Sequence, residues 1–408
     1  MASLSTTSEV HIDEQDSLEK NESTTTAHPN PYQDESPPPP NDTVILLYGS
    51  STTHIGFGGS YKAQPRSTFP SATAENGSYF GDKALTHANI VAPIERGIII
   101  DWDRMEGLWH HAFYNEARID TTSHHLMLVQ PPITSKSVTN RIIQTMFSKF
   151  SFISVSVVDE ALAAMLYIQR GKSFDELTGL LVSSGAQCTY TIPIVAGYVL
   201  HHALVNTGLA GFDITKKIGN LIGMNKKDAE WASLHITNNK IFCDCEDIKK
   251  NVCHVSEMSE SCQESDETTV SYIVNEFESD ELELELPMSV VHSPDLLFHS
   301  INDDVTSCMP LQNGVYKSVC MATTDDSLKA DLYSNIALEG GNTMFKNFGS
   351  RLKSEVEALL AVETPEVVFT VNVVADVGRR SAKWLGCNVL LNTGNVNGIE
   401  SFKDVNKM

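Results

Sequence analysis

Two stretches of this chain join an apolar, strand-like run to a turn of small residues, a combination able to hold an anion. The first is Ile45-Leu46-Leu47-Tyr48-Gly49-Ser50-Ser51, followed by a second strand-like piece at 54–58 that begins with His54. The other, Leu180-Leu181-Val182-Ser183-Ser184-Gly185-Ala186, repeats the design and is followed by 188–193. Small residues in a tight turn let successive backbone N–H groups converge on one point, which suits a phosphate. One such hairpin opening each half of the chain would grip a polyphosphate between two lobes, although ordinary strand connections have the same look. Ser183 and Ser184 have no base beside them in sequence and do not read as activated nucleophiles.

Other chemistry-bearing groupings lead elsewhere. Cys243, Cys245, Cys253 and His254 miss the usual zinc spacings, and residues two apart on a helix point to different faces, so they read as core residues. The pairs His110-His111, His124-His125 and His201-His202 are adjacent, not one helical turn apart, and no metal site is expected from them.

The elements that must position the hairpins are legible as periodic runs. A helix is expected over 102–117, with Met105, Leu108, Trp109, Ala112 and Phe113 on its apolar side and Asp101 as N-cap. Further helices are expected at 139–150, 159–169, 214–222, 241–255, 330–338 and 348–360, and strands at 44–47, 126–129, 153–158 and 367–374. Helices interleaved with short apolar strands indicate an α/β fold of layered sheets. The alternation Glu281-Leu282-Glu283-Leu284-Glu285-Leu286 predicts a half-buried strand with a charged, solvated outer face.

A chain of 408 residues with 41% hydrophobic residues can bury more than one core, and two lobes are expected. A net charge of −23 excludes a protein that tracks a phosphate backbone, which needs clustered Lys and Arg. No run of about eighteen apolar residues occurs, and none near the start resembles a signal core, so a soluble intracellular protein is expected, with neither nucleic acid nor membrane as partner. Eight cysteines in this length imply free thiols. Residues 1–41 are rich in Ser, Thr, Glu, Asp and Pro and read as a disordered tail. It ends in Pro37 to Pro40, either a stiff linker or a segment for a polyproline-reading partner.

The run Ala92-Pro93-Ile94-Glu95-Arg96-Gly97-Ile98-Ile99, continued by Trp102-Asp103-Arg104-Met105-Glu106-Gly107-Leu108-Trp109, closely resembles actin and the actin-related proteins. Further matches follow in order: Pro65-Arg66 with Phe69-Pro70-Ser71, Gly197-Tyr198, Leu209-Ala210-Gly211 with Asp213, Gly340-Gly341-Asn342-Thr343-Met344-Phe345, and Trp384-Leu385-Gly386. They span about 43–392. The resemblance implies an actin-like two-lobe α/β fold, of the type shared with heat-shock ATPases and sugar kinases, with ATP and a divalent cation in the cleft. It also implies the partition 1–41 tail, 42–178 first lobe, 179–375 second lobe and 376–408 return to the first.

Carried over position by position, the resemblance splits the nucleotide site in two. On the adenine and ribose side Gly211, Asp213, Lys249, Gly340, Gly341, Thr343, Met344 and Phe345 match, Asn342 lies among them, and Arg380 stands where Lys is usual. Lys250 departs, standing where the family has Glu. On the phosphate side Gly49, Ser50, Ser51, Ser184 and Gly185 remain as candidate contacts, and His54 replaces a Lys. Three carboxylates of the family's hairpins are replaced by Leu47, Ser183 and Ala186, and Glu160 stands near the water-orienting Gln. Mg²⁺ is held by carboxylates and phosphate oxygens, so weak or absent metal binding is expected. Losing water-positioning groups costs about a hundredfold to ten-thousandfold in rate, so no catalytic residue is assigned and a pseudo-ATPase is expected.

The resemblance thus implies a divergent actin-like protein that binds ATP or ADP without hydrolysis and acts as a cytoskeletal component or complex scaffold. Its expected partners are actin, actin-related or actin-binding proteins, or other complex subunits, in the cytoplasm and cytoskeleton, with the nucleus as alternative. The alternatives are an active cytoskeletal ATPase using Glu160, a nuclear subunit of a chromatin-remodelling complex, and a regulatory subunit recruiting through its tail. Only 71–80 remain where the family carries a long filament-inserting loop, and the segment after Phe402 is short, so conventional filaments are not expected.

Overall fold

The computed structural model describes residues 43–59, 64–87, 90–224, 239–257, 268–275, 281–299, 301–303, 306–393 and 399–403. The tail expected at 1–41 and its proline run lie outside the described residues.

Strands Thr43–Tyr48 and Gly179–Ser184 each found a sheet, and the two sheets follow one plan. Thr43–Tyr48 pairs antiparallel with Thr52–Phe57, which pairs with Ser67–Pro70; on its other side it runs parallel to His125–Gln130, then Ser154–Asp159. Gly179–Ser184 pairs antiparallel with Thr189–Val195, which pairs with Tyr198–Val199; on its other side lie the parallel strands Ile336–Glu339 and Val373–Val374. Parallel strands covered on both faces read as continuous apolar runs, which explains Val44-Ile45-Leu46 and Leu180-Leu181-Val182, all fully buried. Each hairpin tip closes in the same way: Gly49 N–H donates to Thr52 O at 2.9 Å and Gly185 N–H to Cys188 O at 2.9 Å. These two sheets, each led by a small-residue hairpin, build the actin-like two-lobe fold.

Helices Glu160–Ile168 and Ala382–Thr393 run between the sheets. The first is apolar nearly all round, as a helix covered on every side must be. Ala161, Ala164 and Met165 pack with Leu181, Ile192 and Ala337 of the second sheet, whereas Ala163 packs with Ile45, Val129 and Trp384 of the first. A Cβ on Gly386 would lie 1.6 Å from Ala163 O, so only glycine admits this helix contact. Asp159 caps the first helix, accepting from Ala161 N–H at 2.7 Å.

Most expected elements are present. The helix at 102–117 is Trp102–His110 continued by a wider π-type turn, His111–Glu116, with Asp101 as the expected N-cap. The expected helix at 330–338 is corrected: Asp326–Tyr333 is helical and Ile336–Glu339 is a strand. Its residues have good helix propensity, but the parallel slot beside Gly179–Ser184 decides the outcome. The strand at 367–374 shrinks to Val373–Val374, the part reaching that sheet. Helices Leu311–Ala322 and Ala382–Thr393 were not expected. In Glu281–Pro287, Leu284 and Leu286 are buried while Glu283 and Glu285 face out, as the period of two requires. Residues 71–80 form a short turn, with Ala74 N–H donating to Tyr79 O at 2.9 Å and Gly77 N–H to Ala74 O at 2.8 Å.

Candidate functional site

Glu160 opens its helix immediately after the cap, Glu339 ends an otherwise apolar strand, and Lys383 lies at the start of the returning helix. The fold brings these three together. Lys383 Nζ donates to Glu160 Oε1 at 3.0 Å and to Glu339 Oε2 at 3.1 Å, and the three side chains are 17%, 8% and 4% exposed. The same oxygens accept a second bond each: Tyr190 OH donates to Glu160 Oε1 at 2.7 Å, and Ser183 Oγ donates to Glu339 Oε2 at 2.6 Å. Burial opposes the charge on Lys383, but the two carboxylates more than offset it and hold the ammonium above the usual lysine range. Burial pushes Glu339 above the usual carboxylate range, against the pull of Lys383.

The first hairpin borders this cluster. Leu47, in place of the first expected carboxylate, packs on the apolar group that contains Trp384 and Ala163. His54, the residue standing in place of a lysine, is pushed down to about 4 by burial, then by Lys383 and Arg380. Its Nδ1 meets Thr68 Oγ1 at 2.8 Å. The second hairpin is tied from behind: Asn342 Nδ2 donates to Ser184 Oγ at 3.1 Å and Gly185 O at 2.7 Å, and Gly211 N–H donates to Gly185 O at 3.0 Å. Gly340 has φ +100°, and a Cβ there would lie 2.3 Å from Ser184 O, so glycine is required where this loop meets the hairpin.

At the mouth, Arg96 sits at φ 45° in the two-residue turn between Ile94–Glu95 and Ile98–Ile99, a left-handed backbone uncommon for a side-chain-bearing residue. Contacts from the second lobe hold it there. Arg96 N–H donates to Gln187 Oε1 at 2.8 Å, and its guanidinium reaches Gly208 O at 2.6 Å and Asp213 Oδ1 at 3.0 Å. A cavity of about 200 Å³ adjoins this latch, lined by Ala92, Glu95, Arg96, Phe212, Asp213 and Lys216.

At the positions expected to face adenine and ribose, Lys249 is buried and internally bonded, to Gly211 O at 3.1 Å, Thr215 Oγ1 at 2.9 Å and Glu246. Lys250 is 52% exposed. Thr343 is fully buried with its hydroxyl donating to Gly340 O at 2.7 Å, Phe345 packs against the second core, and Met344 is 41% exposed. A Cβ on Gly341 would meet open space. Arg380 is exposed, and it is its neighbour Arg379 that donates to Thr343 O at 3.1 Å. Gly341, Met344 and Lys250 are thus exposed, with Lys250 pairing to Asp247 at 3.6 Å.

The floor does not fit a divalent cation. Of the expected carboxylate positions, Leu47, Ser183 and Ala186 offer no charge; of the carboxylates nearby, Glu160 and Glu339 are engaged by Lys383, and Asp159 caps its helix and lies 3.5 Å from His201 Nε2. Sequence reasoning located both hairpins and Glu160 but missed Glu339, Lys383, Tyr190 and Arg96. The available signal was a charge stranded in an apolar run, as in Ile336-Ala337-Leu338-Glu339 and Ala382-Lys383-Trp384-Leu385. Ser183, without a partner in sequence, gains Glu339 through the parallel register that aligns the two residues. Of the residues read as core, Cys245 and Cys253 lie in the second core, whereas Cys243 and His254 are half-buried.

Two sheets of one plan, each presenting a small-residue hairpin to a shared cleft and joined by helices passing between them, define the nucleotide-cleft class of two-lobe proteins. The family model for actin matches residues 39–400, and the chain belongs to the actin family. Among the described residues no helix is long and apolar enough to cross a membrane.

Proposed function

We propose that this actin-family protein is a nucleotide-binding scaffold that does not hydrolyse ATP. The observation that carries the reading is the floor of the cleft, where Lys383 holds both Glu160 and Glu339. A water molecule attacking a γ-phosphate needs a positioned acceptor and a cation to neutralise developing charge. Glu160 already accepts from Tyr190 and Lys383, and His54 is neutral near pH 7, so neither need is met. Gly341, Met344 and Lys250 supply the adenine and ribose side, and ATP or ADP acts there as a structural ligand without Mg²⁺.

The protein works through contacts with other proteins, as a cytoskeletal component or a subunit of a larger assembly, in cytoplasm or nucleus. The short turn at 71–80 supports a subunit role over conventional filament growth. Phosphate release from ATP with Mg²⁺, measured together with binding of a fluorescent ATP analogue, tests the reading. Binding without release is expected, and Glu160→Gln should leave release unchanged. Release that depends on Glu160 would establish the active ATPase instead.

A further inference from the structure

The geometry points to Lys383 as a tethered cation that occupies the place of a divalent metal ion, closing the floor of the cleft without metal or nucleotide. It shares with the preceding reading the premise that metal has no place in the cleft. It does not depend on nucleotide binding.

Three observations support it. First, Glu160 opens the helix that runs between the sheets and Glu339 ends a strand of the second sheet, and their nearest oxygens both lie within 3.1 Å of one nitrogen. Two carboxylates converging on one positive centre supply part of the six to eight oxygens that Ca²⁺ takes at about 2.3–2.6 Å, so with the ammonium removed and a small inward movement the remaining ligands would be water. Second, each of those oxygens is also fixed by a neutral donor, Tyr190 OH or Ser183 Oγ, so the carboxylates are oriented independently of Lys383. Third, the lysine cannot easily withdraw. Gly386, one turn further along its helix, is the residue that lets the helix meet Ala163, one turn beyond Glu160. The helix–helix contact thereby fixes the distance across which the ion pair forms.

Asp159 also faces Glu160 and Lys383; His54, beside Lys383 and Arg380, is pushed down to about 4, and burial pushes the Cys188 thiol up to about 11. Removing Lys383 leaves two buried carboxylates facing each other, with strong repulsion and no counter-charge. That is a vacated cation site. The ammonium thus does for this chain what a bound metal does elsewhere, at fixed occupancy.

The test is thermal unfolding of nucleotide-free protein in EDTA and then in Ca²⁺ or Mg²⁺. The wild-type midpoint should not move. Lys383→Ala should unfold at a lower temperature and recover by at least ~3 °C at about 10 mM Ca²⁺, saturably and more with Ca²⁺ than Mg²⁺. Lys383→Ala combined with Glu339→Gln should show no recovery. If Lys383→Ala folds only when prepared in Ca²⁺, the inference stands. Failure to fold in either condition, a folded variant blind to both ions, or a wild-type response as large as the variant's would each overturn it. Because nucleotide is absent throughout, none of these outcomes bears on whether ATP binds.

Discussion

The floor of the cleft and the wall that carries Gly340 to Phe345 are built by opposite rules. On the floor Lys383, Glu160 and Glu339 are partnered within the protein: Lys383 takes both carboxylates, and these take Tyr190 and Ser183 as well. On the wall the backbone is held firmly, by Asn342 on the second hairpin and Arg379 on Thr343, yet Gly341, Met344 and Lys250 face outward. A site that must receive a charged ligand leaves charge unpaired, because burying an unpaired group costs several kcal/mol until the ligand arrives. By that measure the floor is built to stay shut; on the wall Lys250 pairs with Asp247 at 3.6 Å, so it is the open surface at Gly341 and Met344, not unpaired charge, that leaves room for a ligand.

The contrast is sharpest where one charge can be removed. Lys383→Ala should destabilise the protein by about 3–5 kcal/mol, the usual cost of stranding a buried counter-charge, measured by urea unfolding in EDTA. A loss below about 1 kcal/mol would mean that the floor is solvated and the contrast false. Gly340→Ala should cost about 1–3 kcal/mol, since a side chain at φ +100° would press on Ser184 O. That variant should also weaken ATP binding, because the wall loop would part from the second hairpin.

A finer test uses pH. Asp159 is pushed up to about 7 by burial, with Glu160 adding to the shift, while His54 is pushed down to about 4. Folded Asp159 binds its proton more tightly than unfolded, so its contribution is full below 3.8 and lost as pH rises through about 7. His54 runs the other way: its contribution is full above 6.5 and lost as pH falls through about 4. The two slopes oppose each other across acidic pH, each at most ~1.4 kcal/mol per pH unit. Urea midpoints should therefore fall toward pH 4 in Asp159→Asn, which keeps the helix cap, and rise in His54→Asn. The smallest effect belongs to the mouth. Arg96 is 46% exposed, so Arg96→Ala should cost about 1 kcal/mol or less. Its clearer sign would be faster release of bound nucleotide, read by stopped-flow fluorescence.

The sequence made much of this architecture legible, for identifiable reasons. The hairpins could be read because small residues after an apolar strand are a local signal, and the helix at Trp102 because its cap and apolar face lie within one segment. Ile336–Glu339 misled because its strand state depends on a neighbour about 150 residues away, at Leu180 to Ser183. The floor cluster was hidden for the same reason. Glu160, Glu339 and Lys383 each look like an isolated charge in an apolar run, and only the parallel register and the Gly386–Ala163 helix contact join them. Leu47, Ser183 and Ala186 announced what was lost from the cleft, but nothing local announced what had replaced it.

The central claim is that nucleotide is held from the wall, without metal and without help from the floor. The most direct measurement is the thermal midpoint with excess ATP, once in EDTA and once in Mg²⁺. Saturation at about a hundred times the dissociation constant stabilises the native state by roughly 2.7 kcal/mol, enough for a clear upward shift. The account predicts that shift in EDTA, with no more than a minor change on adding Mg²⁺. A shift that appears only with Mg²⁺ would contradict it and return the floor to metal chemistry, and no shift under either condition would leave the wall without its ligand.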